Sequence, residues 1–374
     1  MPQTVVGLND SKAVKRYSAF LAVDTAKIGY WTKRFMGAGE TASTPIQMLT
    51  NLESDAGEQI TFDLSMQMKM QPIEGDDTLE GNEDDLKFYT DNVYIDQMRG
   101  GVNTGGKMSR KRTVHNLRQI ARRRQSEWWA RLFDELFFIY LSGPTAGATT
   151  GFQNQGYLFS NTYTGFANNS LQAPDSDHIM YGDGTSKATL TASGKMTRNL
   201  VERAAVKAAT MGGGTEELPQ IQPIMIDGEE HYVLVMHTYA AYDLRIESGD
   251  GGWLEIQKAL FQGDGVRSNP IAKGGLGMLA DVVLHKHKNV LRFTDYGSGF
   301  NVAAARNLFL GEQAGVCAFG SPGTGLRFDW HEETRDNGNQ VVITSSSIFG
   351  IKKVRFNSKD YGCIAIDTAA ADPG

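Results

Sequence analysis

The chain reads as a mixed α+β protein with an outstretched hairpin, and three observations predict this. Residues 60–70 alternate as a half-buried strand does. Phe62, Leu64, Met66, Met68 and Met70 fall on one side, and Thr61, Asp63, Ser65, Gln67 and Lys69 on the other. A helical pattern then runs from about Arg112 to Leu141 and, at its widest, over 110–141. About 30 residues rising 1.5 Å each make a rod of about 45 Å, far beyond the usual helix. The last third is strand-rich, over Gly315–Phe319, Val341–Thr344, Ile348–Phe356 and Cys363–Ile366.

Residues 1–59 read as an arm. Val14, Tyr17, Leu21, Ile28, Trp31 and Phe35 recur at helical intervals, and Gly37, Gly39 and Pro45 then break the pattern. Such an amphipathic helix packs either on its own core or on a neighbour; the pattern does not choose. The hairpin returns over Lys87–Met98 and ends in a glycine-rich bend at Gly100, Gly101, Gly105 and Gly106. Along the long helix, Val114, Leu117, Ala121, Trp128, Leu132, Leu136 and Ile139 form an apolar stripe. Arg123, Glu127, Arg131 and Glu135 alternate in sign every four residues on the solvated face. The end of the helix is apolar nearly all round and should be buried, with Ser142-Gly143-Pro144 as its stop.

Residues 143–193 carry loop chemistry with scattered Tyr and Phe, which suggests a functional or interfacial loop in contact with something, a neighbour being one candidate. A second amphipathic helix is expected over Ser193–Met211, ended by Gly212-Gly213-Gly214. Beyond it, Tyr232–Met236 reads as a buried strand, Tyr239–Arg245 and Trp253–Phe261 as helices, and 274–294 as paired strands turning at Lys288-Asn289. Strands on both sides of a long middle section suggest that the chain leaves one domain, builds a second and returns.

Composition narrows the function classes. At 374 residues with 40% hydrophobic content, the chain can bury a large core. A net charge of −6 argues against a dedicated nucleic-acid binder. Cys317 and Cys363 are too few for a disulfide scaffold and read as reduced thiols of a cytoplasmic protein. No apolar run approaches the roughly 18 residues that span a bilayer, so no membrane partner is expected. The first residues show no secretion signal.

Charge is distributed in blocks. Gln71–Leu86 holds seven acids and no base, among them Glu74, Asp76, Asp77 and Glu80. Gln97–Ser126 holds nine bases and no acid, among them Arg110, Lys111, Arg112, Arg122, Arg123 and Arg124. Those bases could neutralise phosphates or simply solvate a helix face. The preferred reading is that they meet acids of another copy of the chain, given the matching acidic segment. The methionines suit a surface that must repack, and a lone hairpin needs something to lie on.

Catalytic patterns are weak. His331-Glu332-Glu333 lacks the second histidine of a zinc-protease helix, and Gly212-Gly213-Gly214-Thr215 has no lysine and follows a helix, unlike a P-loop. His285 and His287 share one side of a predicted strand, but no third metal ligand is signalled nearby. No catalytic, cofactor or metal residue is assigned.

The blocks Gly75–Val102 (GDDTLEGNEDDLKFYTDNVYIDQMRGGV) and Met108–Gly143 (MSRKRTVHNLRQIARRRQSEWWARLFDELFFIYLSG) resemble the major capsid protein family of N-four-like podophages. Gly57–Gly75 and Ile348–Thr368 look like the same family, and 145–190 least so. The resemblance implies the Hong Kong 97-type capsid fold. Its parts would be an N-terminal arm at 1–59, an extended loop at 60–107 and a peripheral domain at 108–229 with spine helix 110–141. An axial domain at 230–310 and a return to the peripheral domain at 311–374 would complete it. It further implies hexamers and pentamers of the chain closed into an icosahedral shell around double-stranded DNA, assembled in a bacterial cytoplasm. Portal, scaffolding and decoration proteins are further partners in such a virion. Rival readings are an encapsulin-like compartment of the same fold and a soluble metal-dependent enzyme using His285, His287 or His331.

Overall fold

Side chains that are apolar on every face of a helix demand partners on every face, and the long helix finds them between two sheets. The computed structural model describes residues 11–39, 42–53, 57–65, 70–144, 157–160, 162–211, 220–226, 228–247, 275–321 and 327–374. Its described helices are α1 (Ser11–Ile28), α2 (Tyr30–Arg34), α3 (Lys107–Arg112), α4 (Leu117–Ser142), α5 (Arg198–Thr210) and α6 (Thr238–Ile246). Helix α4 is the long one. From Leu132 to Ser142 every side chain is buried.

The first sheet runs Met36–Ala38, Ile46–Leu49, Gly315–Gly320, Gln340–Lys353 and Phe328–Arg335, with Asp96–Asn103 also paired to Gln340–Lys353. The second runs Gly277–Leu279, Val282–Lys286, Glu229–Met236, Val302–Leu310, Cys363–Ala369 and Ile179–Tyr181, with Arg292–Tyr296 and Ile224–Ile226 on its flanks. One apolar cluster joins α4 to both. It unites Phe133, Phe137 and Phe138 with Phe328 and Phe349 of the first sheet and Val233, Val235 and Leu308 of the second. Aromatic pairs set the fit: Phe133 lies 4.7 Å from Phe349, and Trp129 lies 5.2 Å from Phe328. Two buried polar side chains of α4 are partnered across the same surface. Trp129 Nε1 donates to Ser345 Oγ at 2.8 Å, and Gln125 donates to the Ile343 carbonyl at 2.9 Å.

A second core lies on the other side of the second sheet. There α5 buries Leu200, Val201, Ala204 and Ala208, and α6 buries Ala240, Ala241 and Leu244, against Leu234, Phe309 and Ile366. Thr197 caps α5 by accepting from the Leu200 amide.

Several expectations need correction. The basic helix is not continuous: α3 stops at Arg112, Thr113 takes an extended conformation, and Asn116 restarts the helix by accepting from the Gln119 amide at 3.3 Å. Val114, assigned to the apolar stripe, sits in that break and is fully exposed. Gly100 and Gly101 belong to the Asp96–Asn103 strand rather than a bend. A Cβ at Gly100 would lie 2.6 Å from the Trp128 ring, so glycine lets that ring cross the strand. In 274–294 the turn at Lys288-Asn289 is present but does not join paired strands: Gly277–Leu279 pairs with Val282–Lys286 across Ala280-Asp281, and Arg292–Tyr296 pairs with Val302–Leu310. The chain's final strand, Cys363–Ala369, joins the second sheet, so 311–374 is shared between the two. Glu135 is not solvated: it is 1% exposed and accepts from the Leu158 amide at 2.5 Å. Phe159, Tyr163, Phe166 and Leu171 of the loop-rich stretch pack on the chain's own core. Trp253–Phe261 and Gly212-Gly213-Gly214 lie outside the described residues.

The described apolar residues of the arm pack on the chain's own core. Leu21, Trp31 and Phe35 are fully buried beside α4. Asp134 of α4 accepts from the amides of Tyr30 at 2.9 Å and Trp31 at 3.1 Å, satisfying the first turn of α2 from about a hundred residues away. Burial pushes the Asp134 carboxyl up to about 6, opposed by those two amides, with Glu135 raising it further and Arg34 lowering it.

A carboxyl raised in the fold from 3.8 to about 6 binds its proton more tightly folded than unfolded. Its contribution to stability is therefore greatest below pH 4 and declines, by on the order of 3 kcal/mol, as pH rises to about 6. Asp134→Asn, whose amide oxygen keeps both acceptor contacts, should lack this decline. Chemical denaturation of both proteins at pH 4, 5, 6 and 7.5 checks it, and a wild-type-minus-variant difference flat across that range contradicts it.

Candidate inter-subunit surfaces

The hairpin is built on a firm root. Strands Gln59–Ser65 and Phe88–Tyr94 pair antiparallel from Gln59↔Tyr94 to Ser65↔Phe88. The alternation has the expected effect: Ile60, Phe62 and Leu64 face a cluster of Leu49, Val93, Val316, Val354, Phe356 and Tyr361, while Thr61 and Asp63 face out. One residue, Ile95, separates this two-stranded sheet from the Asp96–Asn103 strand of the first sheet.

Polar groups clamp that junction. The Asn169 side chain accepts from the Tyr94 amide at 3.0 Å and donates to the Tyr94 carbonyl at 2.8 Å, standing in for a missing strand neighbour. A two-residue turn at Ala167 and Asn168, with φ of 55° and 57°, presents Asn169, whose carbonyl accepts from Tyr140 of α4. Asp91 pairs with Lys352 and accepts from the Arg355 amide at 3.1 Å. A Cβ on Gly350 would lie 1.9 Å from the Tyr94 carbonyl oxygen, so only glycine admits the crossing.

Beyond the root the chain has no regular structure from Met70 to Lys87, and nearly every residue is exposed. Glu74, Asp76, Asp77 and Glu80 have no basic partner among the described residues. Met70 is half-buried; Met66 and Met68 lie outside the described residues.

The basic segment is less free than its composition suggests. Arg122 pairs with Asp24 of α1 at 3.1 Å, Arg123 and Arg124 share Glu127, and Arg110 donates to the Asn339 carbonyl. Lys111 and Arg112 are exposed and carry no ion pair among the described residues. Among the described residues no ion pair joins Glu74, Asp76, Asp77 or Glu80 to the basic segment.

The weak catalytic candidates find ordinary packing roles. His285 sits edge-on to Phe35 at 5.1 Å, and His287 stacks on Phe138 at 4.9 Å, its imidazole pushed down to about 4 by burial. His331 is exposed on a first-sheet strand. Among the described residues no group of three His, Cys, Asp or Glu side chains is placed to hold a metal. Both cysteines are buried and free, and burial pushes the Cys363 thiol up to about 12. Sequence reasoning missed Asn169, Asp91 and Asp134, the residues that fix hairpin and arm. Asn169 did carry a signal, since Ala-Asn-Asn-Ser after Phe166 is turn chemistry.

A clamped, exposed hairpin, a long helix shared by two sheets and an arm against that helix define a shell-building subunit of the Hong Kong 97 type. The capsid of Ralstonia phage GP4 superimposes with a TM-score of 0.83 at 46% identity over 100% of both chains. The capsid of cyanophage Pam1 shares the fold at a TM-score of 0.67 and 21% identity, over 90% of this chain and 91% of that one. The major capsid protein of Pseudomonas phage KPP25 is 26% identical over 353 residues, 90% of each chain. A family model for phage capsid proteins matches residues 5–372, and the chain belongs to that family. It is a phage major capsid protein, a structural component of the virion.

The clamp should be measurable. Asn169→Ala removes two hydrogen bonds from the Tyr94 peptide, each worth about 1 kcal/mol, so amide exchange at Tyr94 and its hairpin neighbours should quicken about tenfold or more. Exchange in α4 should stay as in wild type. Unchanged protection at Tyr94 would remove Asn169 from the clamp.

Proposed function

We propose that copies of this subunit associate as hexamers and pentamers into a closed icosahedral head around the double-stranded DNA of a tailed phage. The hairpin lies across the adjacent subunit, and its acidic tip meets basic residues there. One observation supports this above others: the root of the hairpin is clamped, while Glu74, Asp76, Asp77 and Glu80 find no basic partner among the described residues. An extension held in place but left unsatisfied gains its contacts from a second molecule. Each contact is modest, and a closed lattice multiplies it. Because exposed charges steer the encounter, salt should weaken assembly.

The peripheral and axial domains of this reading correspond to the first and second sheets, with α4 as spine. With −6 overall, an inner face near neutral would let packaged DNA slide rather than stick. Assembly in the bacterial cytoplasm fits the two buried thiols, and portal, scaffolding and decoration proteins are further virion partners.

Reversing Glu74, Asp76 and Asp77 to lysine should abolish shells in electron micrographs while circular dichroism and thermal unfolding of the subunit stay unchanged. Normal shells from that triple variant refute charge-guided docking.

A further inference from the structure

The chain contains one Asn-Gly step, Asn337-Gly338. It lies in the turn at 336–339, which closes the hairpin between the strands Phe328–Arg335 and Gln340–Lys353, whose pairing ends at Arg335↔Gln340. Asp336, Asn337 and Gly338 all take left-handed backbone conformations, at φ of 54°, 45° and 82°. The Asn339 amide donates across the turn to the Asp336 carbonyl at 2.8 Å.

The two asparagines of this turn are held very differently. Asn339 is fully employed: its side chain accepts from the Lys107 amide at 3.0 Å and donates to Asp336 at 2.9 Å, and its carbonyl accepts from Arg110 at 2.9 Å. It thereby supplies an acceptor that the first turn of α3 lacks within itself. Asn337 is exposed, and neither its carboxamide nor the Gly338 amide forms a hydrogen bond among the described residues. A glycine amide has no side chain beside it to shield the nitrogen. An unshielded nucleophile next to an unheld carboxamide, both in water, supplies the two reactants of an intramolecular substitution.

We propose that Asn337 deamidates spontaneously in the folded subunit and that the change releases the basic helix α3 from the turn. The Gly338 nitrogen attacks Asn337 Cγ. The N–Cγ bond forms, the Cγ–Nδ2 bond breaks, and Nδ2 departs as ammonia with the proton that the Gly338 nitrogen loses. Water then opens the cyclic imide at either carbonyl, giving aspartate or isoaspartate. Nothing is oxidised or reduced, and water is the sole co-reactant. Both products place a carboxylate beside Asp336, and isoaspartate also lengthens the main chain of the turn by one methylene. Asn339, two residues on, then loses its position against Lys107 and Arg110. The change needs no enzyme, so it accumulates with the age of the protein. It goes beyond the assembly reading and does not depend on it.

Peptide mapping of the full-length subunit, held folded at pH 8.5 for three weeks, tests the site. The peptide containing Asn337 should gain one dalton and split into aspartate and isoaspartate forms, ahead of every other asparagine peptide. Amide exchange at Lys107–Arg112 should quicken about fivefold or more in the aged protein, the change expected when one hydrogen bond is lost. Exchange in α4 should stay as in fresh protein. Asn337→Gln, whose longer side chain would have to close a larger ring, should keep both its mass and its α3 protection over the same period. Asn337→Asp suits the left-handed turn and has no amide to lose, so it serves as the mass control where the glutamine variant fails to fold. No gain at residue 337, an equal gain in either variant, or faster gain at other asparagines overturns the site. Gain at residue 337 with unchanged exchange in α3 overturns the release.

Discussion

The second half of α4 must be buried on all sides, and most of the architecture follows from that requirement. Leaving Phe133, Leu136, Phe137, Phe138 and Ile139 in water would cost about 1.5–3 kcal/mol for each large side chain. One sheet covers only one face. Two sheets, the arm and the loop carrying Phe159, Tyr163 and Phe166 are needed to close the rest, and together they make one cluster that runs through the subunit. Its rigidity gives the hairpin root a fixed platform.

Buried polar groups then fix which arrangement the apolar surfaces adopt. Arg306 on the second sheet makes a two-pronged bond to Asp367, at 2.8 and 2.9 Å, donates to Tyr296 and reaches the Ser142 carbonyl at the end of α4. It thereby ties the helix terminus to the centre of the second sheet. On the other side Lys353 pairs with Asp360 at 2.8 Å, both fully buried where the first sheet hands the chain over to the second. Removing one partner of such a pair leaves an isolated buried charge, which costs more than the pair gains. The hairpin tip is the counterpart: Glu74, Asp76, Asp77 and Glu80 stay exposed to water.

Much of this was legible in the residues. Period-two alternation placed Ile60, Phe62 and Leu64 on one face, and the all-round apolar run announced a doubly covered helix end. Gly143 stops α4 in the left-handed conformation expected of it, at φ 55°. Other elements were hidden for physical reasons. Val302–Leu310 contains three alanines and a buried Arg306-Asn307 pair, so neither strand propensity nor apolar continuity marks it. Those two polar residues are tolerable only because Asp367 and Thr368 meet them from a strand about sixty residues away, with Tyr296 from the adjacent strand. The break between α3 and α4 depends on Asn116, whose capping role is visible only once the backbone turns there.

By itself the sequence determined local periodicity, helix stops, the separation of acidic tip from basic helix and the resemblance to phage capsid proteins. These are properties of neighbouring residues, where sterics and hydrophobic spacing act over one or two turns. The tertiary structure alone decided that Arg122 is already spent on Asp24, which glycines admit a crossing chain, and that Asn169 and Asp134 fasten hairpin and arm. Those outcomes depend on pairs separated by tens to hundreds of residues, and a hydrogen bond or a 2 Å clash exists only after folding has brought the partners together.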